Sequence, residues 1–249
     1  MSRFRPGWGF VPVISFLIVW EVLGRIHLDQ ESLLPPFSAT IQEFWFLTQT
    51  GVLAENFLAS LIRILAGLLA GTAAGITLGI IMGWNRLVDT AFNPIFSLLY
   101  PIPALGWLPL FMLWIGINEM LPIAIIFMCS FFAILYNTIT GVRSVDKSYV
   151  QAARTLGASD LRILTTVILP LALPNIFTGL RLEAGMGWRT IIAAEMVAIP
   201  TGLGALLMRA QSLIRVDIII VVLIVLAVMS LSFERLFAYL EWRFTRKWK

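Results

Sequence analysis

The sequence predicts an all-α integral membrane protein with six transmembrane helices. Of its 249 residues, 59% are hydrophobic and only 13% are charged, far from the balance of a soluble domain. The apolar residues gather into runs long enough to cross ~30 Å of hydrocarbon, which takes about 20 helical residues. Most Arg and Lys residues stand in the short segments between those runs, as membrane topology demands. The length suits one membrane domain, residues 1–249, with its core at about 54–240. Cys129 is the single cysteine and His27 the single histidine, so neither a disulfide framework nor a metal cluster is expected. The positive balance lies at span ends and does not point to nucleic acid.

Arg3 and Arg5 precede the first apolar run, Trp8 to Leu23. A basic start and an apolar core resemble a signal peptide, but no small-x-small site follows. The run reads as a first membrane helix that begins inside. Its exit holds Glu21, Arg25, His27 and Asp29, and His27 reads as a boundary residue in water. Asp29 to Gly51 is polar, with Pro35-Pro36 as a rigid kink. Ser38 to Thr48 reads as a short amphipathic helix at the outer interface, with Ser38 as its cap.

The second span is Phe57 to Gly83. Gly67, Gly71, Gly75, Gly79 and Gly83 recur every four residues, which on a helix is one groove of small residues. A rocking surface and static packing are both open readings of that groove. Arg63 lies near the outer end, placed either to snorkel or to pair with an acid on another helix. Trp84-Asn85-Arg86 makes an inner turn. The third span, Asp89 to Trp114, is interrupted by Pro94, Pro101, Pro103 and Pro109. Prolines free carbonyls, which lipid does not tolerate unless they face protein or water. Tyr100 to Leu110, with Pro101 and Pro103, is therefore a candidate wall of a translocation path. Gly116 to Met120 is an outer turn, Leu121 to Thr140 the fourth span, and Gly141 to Lys147 an inner lead.

Tyr149 to Pro174 is a polar-rich interruption and reads as an elbow of two short helices. The first runs about Tyr149 to Leu156. Gly157 supplies a stop, and Ser159 or Asp160 caps a second helix over Leu161 to Leu169, ending before Pro170. Such a stiff knob suits pushing against a partner better than chemistry. The fifth span, Pro174 to Pro200, holds Arg181, Glu183, Arg189 and Glu195. Ionisable groups in a span face a bundle interior or a cavity. Arg63 and Glu195 share the outer third and are candidates to pair. Arg189, near the middle, is a candidate pore residue that would favour an anion, although mutual neutralisation of these charges is the commoner arrangement. Gly202-Leu203-Gly204 opens an outer segment, as a flexible turn. Ile218 to Tyr239 is the last span, and Arg243, Arg246, Lys247 and Lys249 form a basic tail with Trp242 and Trp248 as interface anchors.

Charge orients the chain. The two ends, the Arg86 turn and the elbow hold most of the cations, whereas the outer segments hold Arg209, Arg215 and, at the edge, Arg25. The asymmetry places both termini and the elbow inside.

The elbow resembles the "EAA" loop of permease subunits of bacterial ABC importers, of the binding-protein-dependent type I family. The match is Gln151-Ala152-Ala153, then Gly157, then Val167, Ile168, Leu169 and Pro170 in the family's spacing. Gln151 departs from the usual Glu, which keeps length and hydrogen bonding but removes a charge, and so puts in doubt a salt bridge to the ATPase there. LLPPFSATIQEF, the proline-rich Tyr100–Leu110 stretch, GLRL, AAEM and the Gly-x-Gly turn are also similar to the family, within a branch that handles nitrate, bicarbonate, taurine, aliphatic sulfonates or pyrimidine precursors.

The resemblance implies a type I importer permease fold. It assigns ATPase coupling to Gln151, Ala152, Ala153, Arg154, Gly157, Ala158, Leu169 and Pro170. It places Gly202 and Gly204 at an outer gate. It implies a second permease copy, two ATP-binding cassette subunits and a periplasmic or lipid-anchored binding protein in a bacterial inner membrane. ATP and Mg would be bound by the cassette subunits, since the chain has no GxxxxGK[ST] loop. No enzyme activity is expected of the chain itself. The expected solute is a small anion, with a neutral pyrimidine-like solute as the alternative. A different class, an ion-coupled secondary transporter, would need an internal repeat and midplane carboxylates in both halves, and no repeat is found.

Overall fold

The computed structural model describes residues 11–26 and 33–246. Trp8, His27 and the last three residues, Lys247 to Lys249, lie outside the described residues, as do Arg3, Arg5 and Asp29. The described residues form helices α1 (Val11–Ile26), α2 (Phe37–Gln49), α3 (Val52–Trp84), α4 (Arg86–Leu99), α5 (Leu108–Trp114) and α6 (Met120–Arg143). They continue as α7 (Lys147–Thr155), α8 (Asp160–Ile163), α9 (Leu169–Ala198), α10 (Leu203–Ser212) and α11 (Val216–Thr245). No strand occurs among the described residues. Four stretches are long and apolar enough to cross a membrane: α3, α6, residues 160–197 and α11. The region of α4 and α5 makes a fifth if counted as one broken span, and α1 adds a shorter apolar helix of 16 residues.

The α3 glycines decide the centre of the bundle. They face α6 along its length. A Cβ on Gly67 would lie 2.6 Å from Ile126 Cβ, on Gly71 2.6 Å from Ser130 Cβ, and on Gly79 2.6 Å from Thr138 Cβ. Gly75 and Gly83 meet the Phe131 carbonyl and Val142 just as closely. The small-residue groove is therefore filled by a helix of the same chain, because lipid tails give no hydrophobic drive and close backbone approach supplies the dispersion contact. α9 packs on α6 and α11 on α9. Trp188 stacks on Phe57 at 5.9 Å and meets Phe233 edge-on at 5.4 Å. At the elbow end Val142, Ile163, Ile168, Ala172 and Ile176 form a core beneath α7 and α8.

Three local expectations are corrected. The third span is broken as expected, but at one place: α4 and the segment Ala104–Trp114 meet at 87° around Pro101 and Pro103, whereas Pro94 lies inside α4 and Pro109 in the first turn of α5, where its missing N–H costs little. The second elbow helix does not end before Pro170. Residues 164–168 form a π-helical turn in which Leu169 N–H donates to the Leu164 carbonyl, and α9 runs on through Pro170 and Pro174. The wider turn shifts the hydrogen-bond register just where Pro170 lacks a donor. Ser38 does not cap α2. It lies inside the helix, and its N–H and hydroxyl both donate to Glu21 of α1, at 2.9 Å each. A carboxylate from another helix thus does the capping.

Candidate functional site

The elbow is built from backbone chemistry. Asp146 begins α7, its carboxylate accepting from Ser148 N–H at 2.8 Å. That bond holds the Asp146 carboxyl below its ordinary range. At the other end Gly157 has φ +78°. Gly157 N–H donates to the Arg154 carbonyl at 2.9 Å and Ala158 N–H to the Ala153 carbonyl at 3.1 Å. This pair of bonds is a Schellman closure, which requires a left-handed residue and so favours glycine. Ser159 then stands at the N-cap of α8 with extended backbone, and Arg154 reaches Asp160 at 3.0 Å. Gln151, Ala152 and Arg154 are exposed, whereas Ala153 and Ala158 pack on the inner core. Leu169 and Pro170 are not on the exposed knob; they open α9 behind it. The sequence reading missed the apolar tips. Tyr149, Leu156 and Leu161 are 58%, 88% and 72% exposed, and the fully open Leu156 beside a glycine stop was a usable signal.

A second site lies at the end of the bundle away from the elbow. Arg63 of α3 is buried and forms ion pairs with Glu195 of α9 at 2.7 Å and with Glu119 at 2.6 Å. It also donates to the Thr201 carbonyl at 2.8 Å and the Thr201 hydroxyl at 2.6 Å. Glu195 accepts from Ser60 and from Gly204 N–H at 3.0 Å. The first N–H groups of α10 are consumed in the same way, Gly202 by Asn56 at 3.0 Å and Leu203 by Ser60 at 2.9 Å. Gly202 and Gly204 are buried, and a Cβ on either would strike Glu195. They are thus closely held rather than a flexible turn: the carboxylate sits where side chains would be. Glu119 stands on the outer loop at 66% exposure, and the hydrogen bond from Arg63 holds its carboxyl below the usual range against the opposing effect of burial.

The other charges of α9 do not join this network. Arg181 reaches Glu241 of α11 at 3.3 Å. Arg189 is exposed and has no ion-pair partner among the described residues. It lines a groove of about 400 Å³ against α11, with Trp188, Ser230 and Glu234. Along α9 it belongs to an outward stripe with Leu182, Met186 and Val197. Glu183 faces another way. It is 4% exposed and lines a cavity of about 240 Å³ with Pro101, Pro103, Trp107, Cys129 and Phe132. The proline-rich wall therefore shares its space with Glu183 and not with Arg189. Residues 183 and 189 differ by six positions, which sets them about 120° apart around a helix and on different faces. Among the described residues no His, Cys, Asp and Glu cluster is arranged to hold a metal.

A known family model matches residues 75–246, which span the second half of the glycine groove, the broken span, the elbow and the α9–α10 side of the clasp: the binding-protein-dependent transport system inner membrane component. The chain belongs to this family.

The permease is 40% identical over 90% of its chain to a putative ABC transporter permease protein of Methanocaldococcus jannaschii, covering 86% of that protein. It is 35% identical to the taurine transport system permease protein TauC of Escherichia coli, covering 88% of this chain and 81% of the other. It is 33% identical to a putative aliphatic sulfonates transport permease protein of Escherichia coli, covering 89% and 84%. Its fold matches a chain of the MetNI methionine ABC transporter, solved in inward-facing conformations, with a TM-score of 0.60 at 18% identity over 76% of this chain and 93% of that one. The permease is accordingly a multi-pass inner-membrane transport component with a type I importer permease fold, and a transport subunit rather than an enzyme.

Proposed function

We propose that the permease forms the translocation path of an ATP-driven importer for a small oxyanion-bearing solute such as taurine or an alkanesulfonate. The observation that carries the coupling half of this reading is the elbow. It is a rigid helix pair, closed by Gly157, that presents Tyr149, Leu156 and Leu161 to the side where cations gather. Three large apolar side chains exposed beside polar neighbours mark a surface that is covered by a partner. Two ATP-binding cassette subunits would dock there, one on each elbow of a permease pair, binding ATP and Mg themselves. Both termini are then cytoplasmic, and an external binding protein delivers the solute to the side of the Arg63–Glu195 clasp.

The Arg189 stripe on α9 supports the pairing with a second permease copy. An exposed guanidinium at mid-depth is costly against lipid, so this face is turned to a partner or to water. There it would supply a cation to a passing oxyanion. ATP binding would close the cassette pair and move the elbows, and the force would pass into α9, which continues from α8 through the π-helical turn.

The test is ATPase activity of the assembled complex with candidate cassette subunits, wild type against Gly157→Asp. A Cβ at Gly157 meets no atom within 4 Å, so the variant changes the φ +78° stop without a clash. Stimulation by a loaded binding protein that is lost in the variant supports the reading. Absence of any cassette partner, or full coupling in the variant, would overturn it.

A further inference from the structure

We infer that the cavity at the proline-rich break is a solute subsite for a protonated amine, with Glu183 as its acceptor. This rests on the importer reading and narrows the solute from bare oxyanions to zwitterions that also carry an ammonium group.

Glu183 is 4% exposed, and its Oε1 has no hydrogen-bond partner among the described residues. A buried carboxyl oxygen without a donor is costly to keep, and native structures rarely leave one unless a ligand or water completes it. The other charged groups of α9 have taken partners or face elsewhere. Glu195 is held by Arg63, Arg181 reaches Glu241, and Arg189 lines the separate groove against α11. Among the described residues no Arg, Lys or His lines the Glu183 cavity. An oxyanion entering it meets a carboxyl group and no cation.

An ammonium group meets the opposite. Tyr100, Trp107 and Phe132 supply aromatic walls, and aromatic faces attract cations. The other walls include Pro101, Pro103 and Met128, whose side chains offer no hydrogen-bond donor, and the donors that do line the space, on Tyr100, Trp107 and Cys129, are neutral. At about 240 Å³ the space suits a small solute of a few heavy atoms. The cavity therefore combines one acceptor, an apolar lining and aromatic faces, the chemistry that recognises R–NH₃⁺.

Cys129 lines the same cavity and is the single cysteine of the chain, so it reports on this space without engineering. The full-length permease in membrane vesicles is treated with 2-aminoethyl or 2-sulfonatoethyl methanethiosulfonate, by itself and again with any cassette subunits that bind, without and with ATP. In either reaction the Cys129 sulfur displaces methanesulfinate and forms a mixed disulfide. Rates are normalised to those with free 2-mercaptoethanol. The expected result is a preference of about tenfold or more for the aminoethyl reagent, the size of one charge-assisted hydrogen bond. Glu183→Gln should bring the ratio close to one. Ethylamine and taurine should protect Cys129, and ethanesulfonate should not.

Equal normalised rates, a preference for the sulfonatoethyl reagent, or a Cys129 closed to both under every condition would overturn the inference. So would equal protection by ethanesulfonate. The wild-type ratio and the protection pattern decide even if Glu183→Gln fails to fold. Labelling needs no binding protein and no turnover, so its outcome is separable from a failure of the importer reading, which shows only in the ATPase assay.

Discussion

The Arg63 guanidinium meets the Glu195 carboxylate at 2.7 Å with both side chains almost fully buried, at 2% and 0% exposure. This pair joins α3 to α9 across 132 residues of sequence and holds the start of α10 through the same carboxylate. Removing Arg63 leaves the buried Glu195 carboxylate without its cation, which costs about 3–5 kcal/mol, whereas Glu195→Ala leaves Arg63 paired with Glu119. Arg63→Met should therefore lower the thermal aggregation midpoint of the detergent-solubilised permease by several degrees, and Glu195→Ala by less. The double variant Arg63→Met with Glu195→Ala should lose less than the sum of the two single changes. An Arg63→Met midpoint equal to wild type, or strict additivity, would show that the pair does not hold these helices together.

The second prediction concerns the glycine groove. A Cβ at Gly71 would stand 2.6 Å from Ser130 Cβ and 2.9 Å from the Phe127 carbonyl. Gly71→Ala should destabilise by about 1–3 kcal/mol through overpacking. Gly185→Ala is the control, because the nearest atoms to its Cβ lie at 3.9 and 4.0 Å. It should be neutral or mildly stabilising, since Ala is the better helix former. Folded yield and thermal midpoint read both variants, and equal effects at the two positions would count against a space-limited α3–α6 contact.

Acid should loosen the outer clasp before it unfolds the bundle. The folded-state value of Glu119 is depressed, chiefly by the hydrogen bond from Arg63. A depressed carboxyl contributes stability that is fully present above its unfolded value of about 4.3 and is lost as pH falls through the lower folded value. Hydrogen exchange of the segment at 199–204 should speed up across that acidic window in wild type. Glu119→Gln should show faster exchange already at neutral pH and a flatter acid response. Parallel profiles in the two proteins would remove Glu119 from the clasp.

Leu156 and Leu161 stand out from the elbow at 88% and 72% exposure. Replacing either by Asp removes no packed contact, so the thermal midpoint should stay within about 0.5 kcal/mol of wild type, as for surface changes generally. Binding of the cassette subunits should fall about tenfold or more if these are central anchors of the interface. Co-purification yield from the same membranes measures this. Normal recovery of the cassette subunits with both variants would separate the apolar tips from docking.

The permease sequence by itself determined what is local along the chain. Long apolar runs located the spans, because a helix must satisfy its own backbone in lipid. The four-residue glycine period marked a face of α3 that something must approach. Gly157 announced a helix stop, since the left-handed residue of a Schellman closure is a property of one position. Asn85 likewise sits beside its own clients, accepting from Leu87 N–H at 2.9 Å. What only the tertiary structure decided is which distant groups meet. That the glycine face receives α6, that Glu21 caps α2, and that Glu183 shares a cavity with Pro101 and Pro103 while Arg189 turns to α11 depends on how helices lie side by side. Pro170 misled because its cost was judged within one turn, whereas a π-helical turn upstream changed the hydrogen-bond register it entered. The partners of a buried charge are chosen by three-dimensional packing, where 132 residues of separation and 2.7 Å of distance are the same relationship.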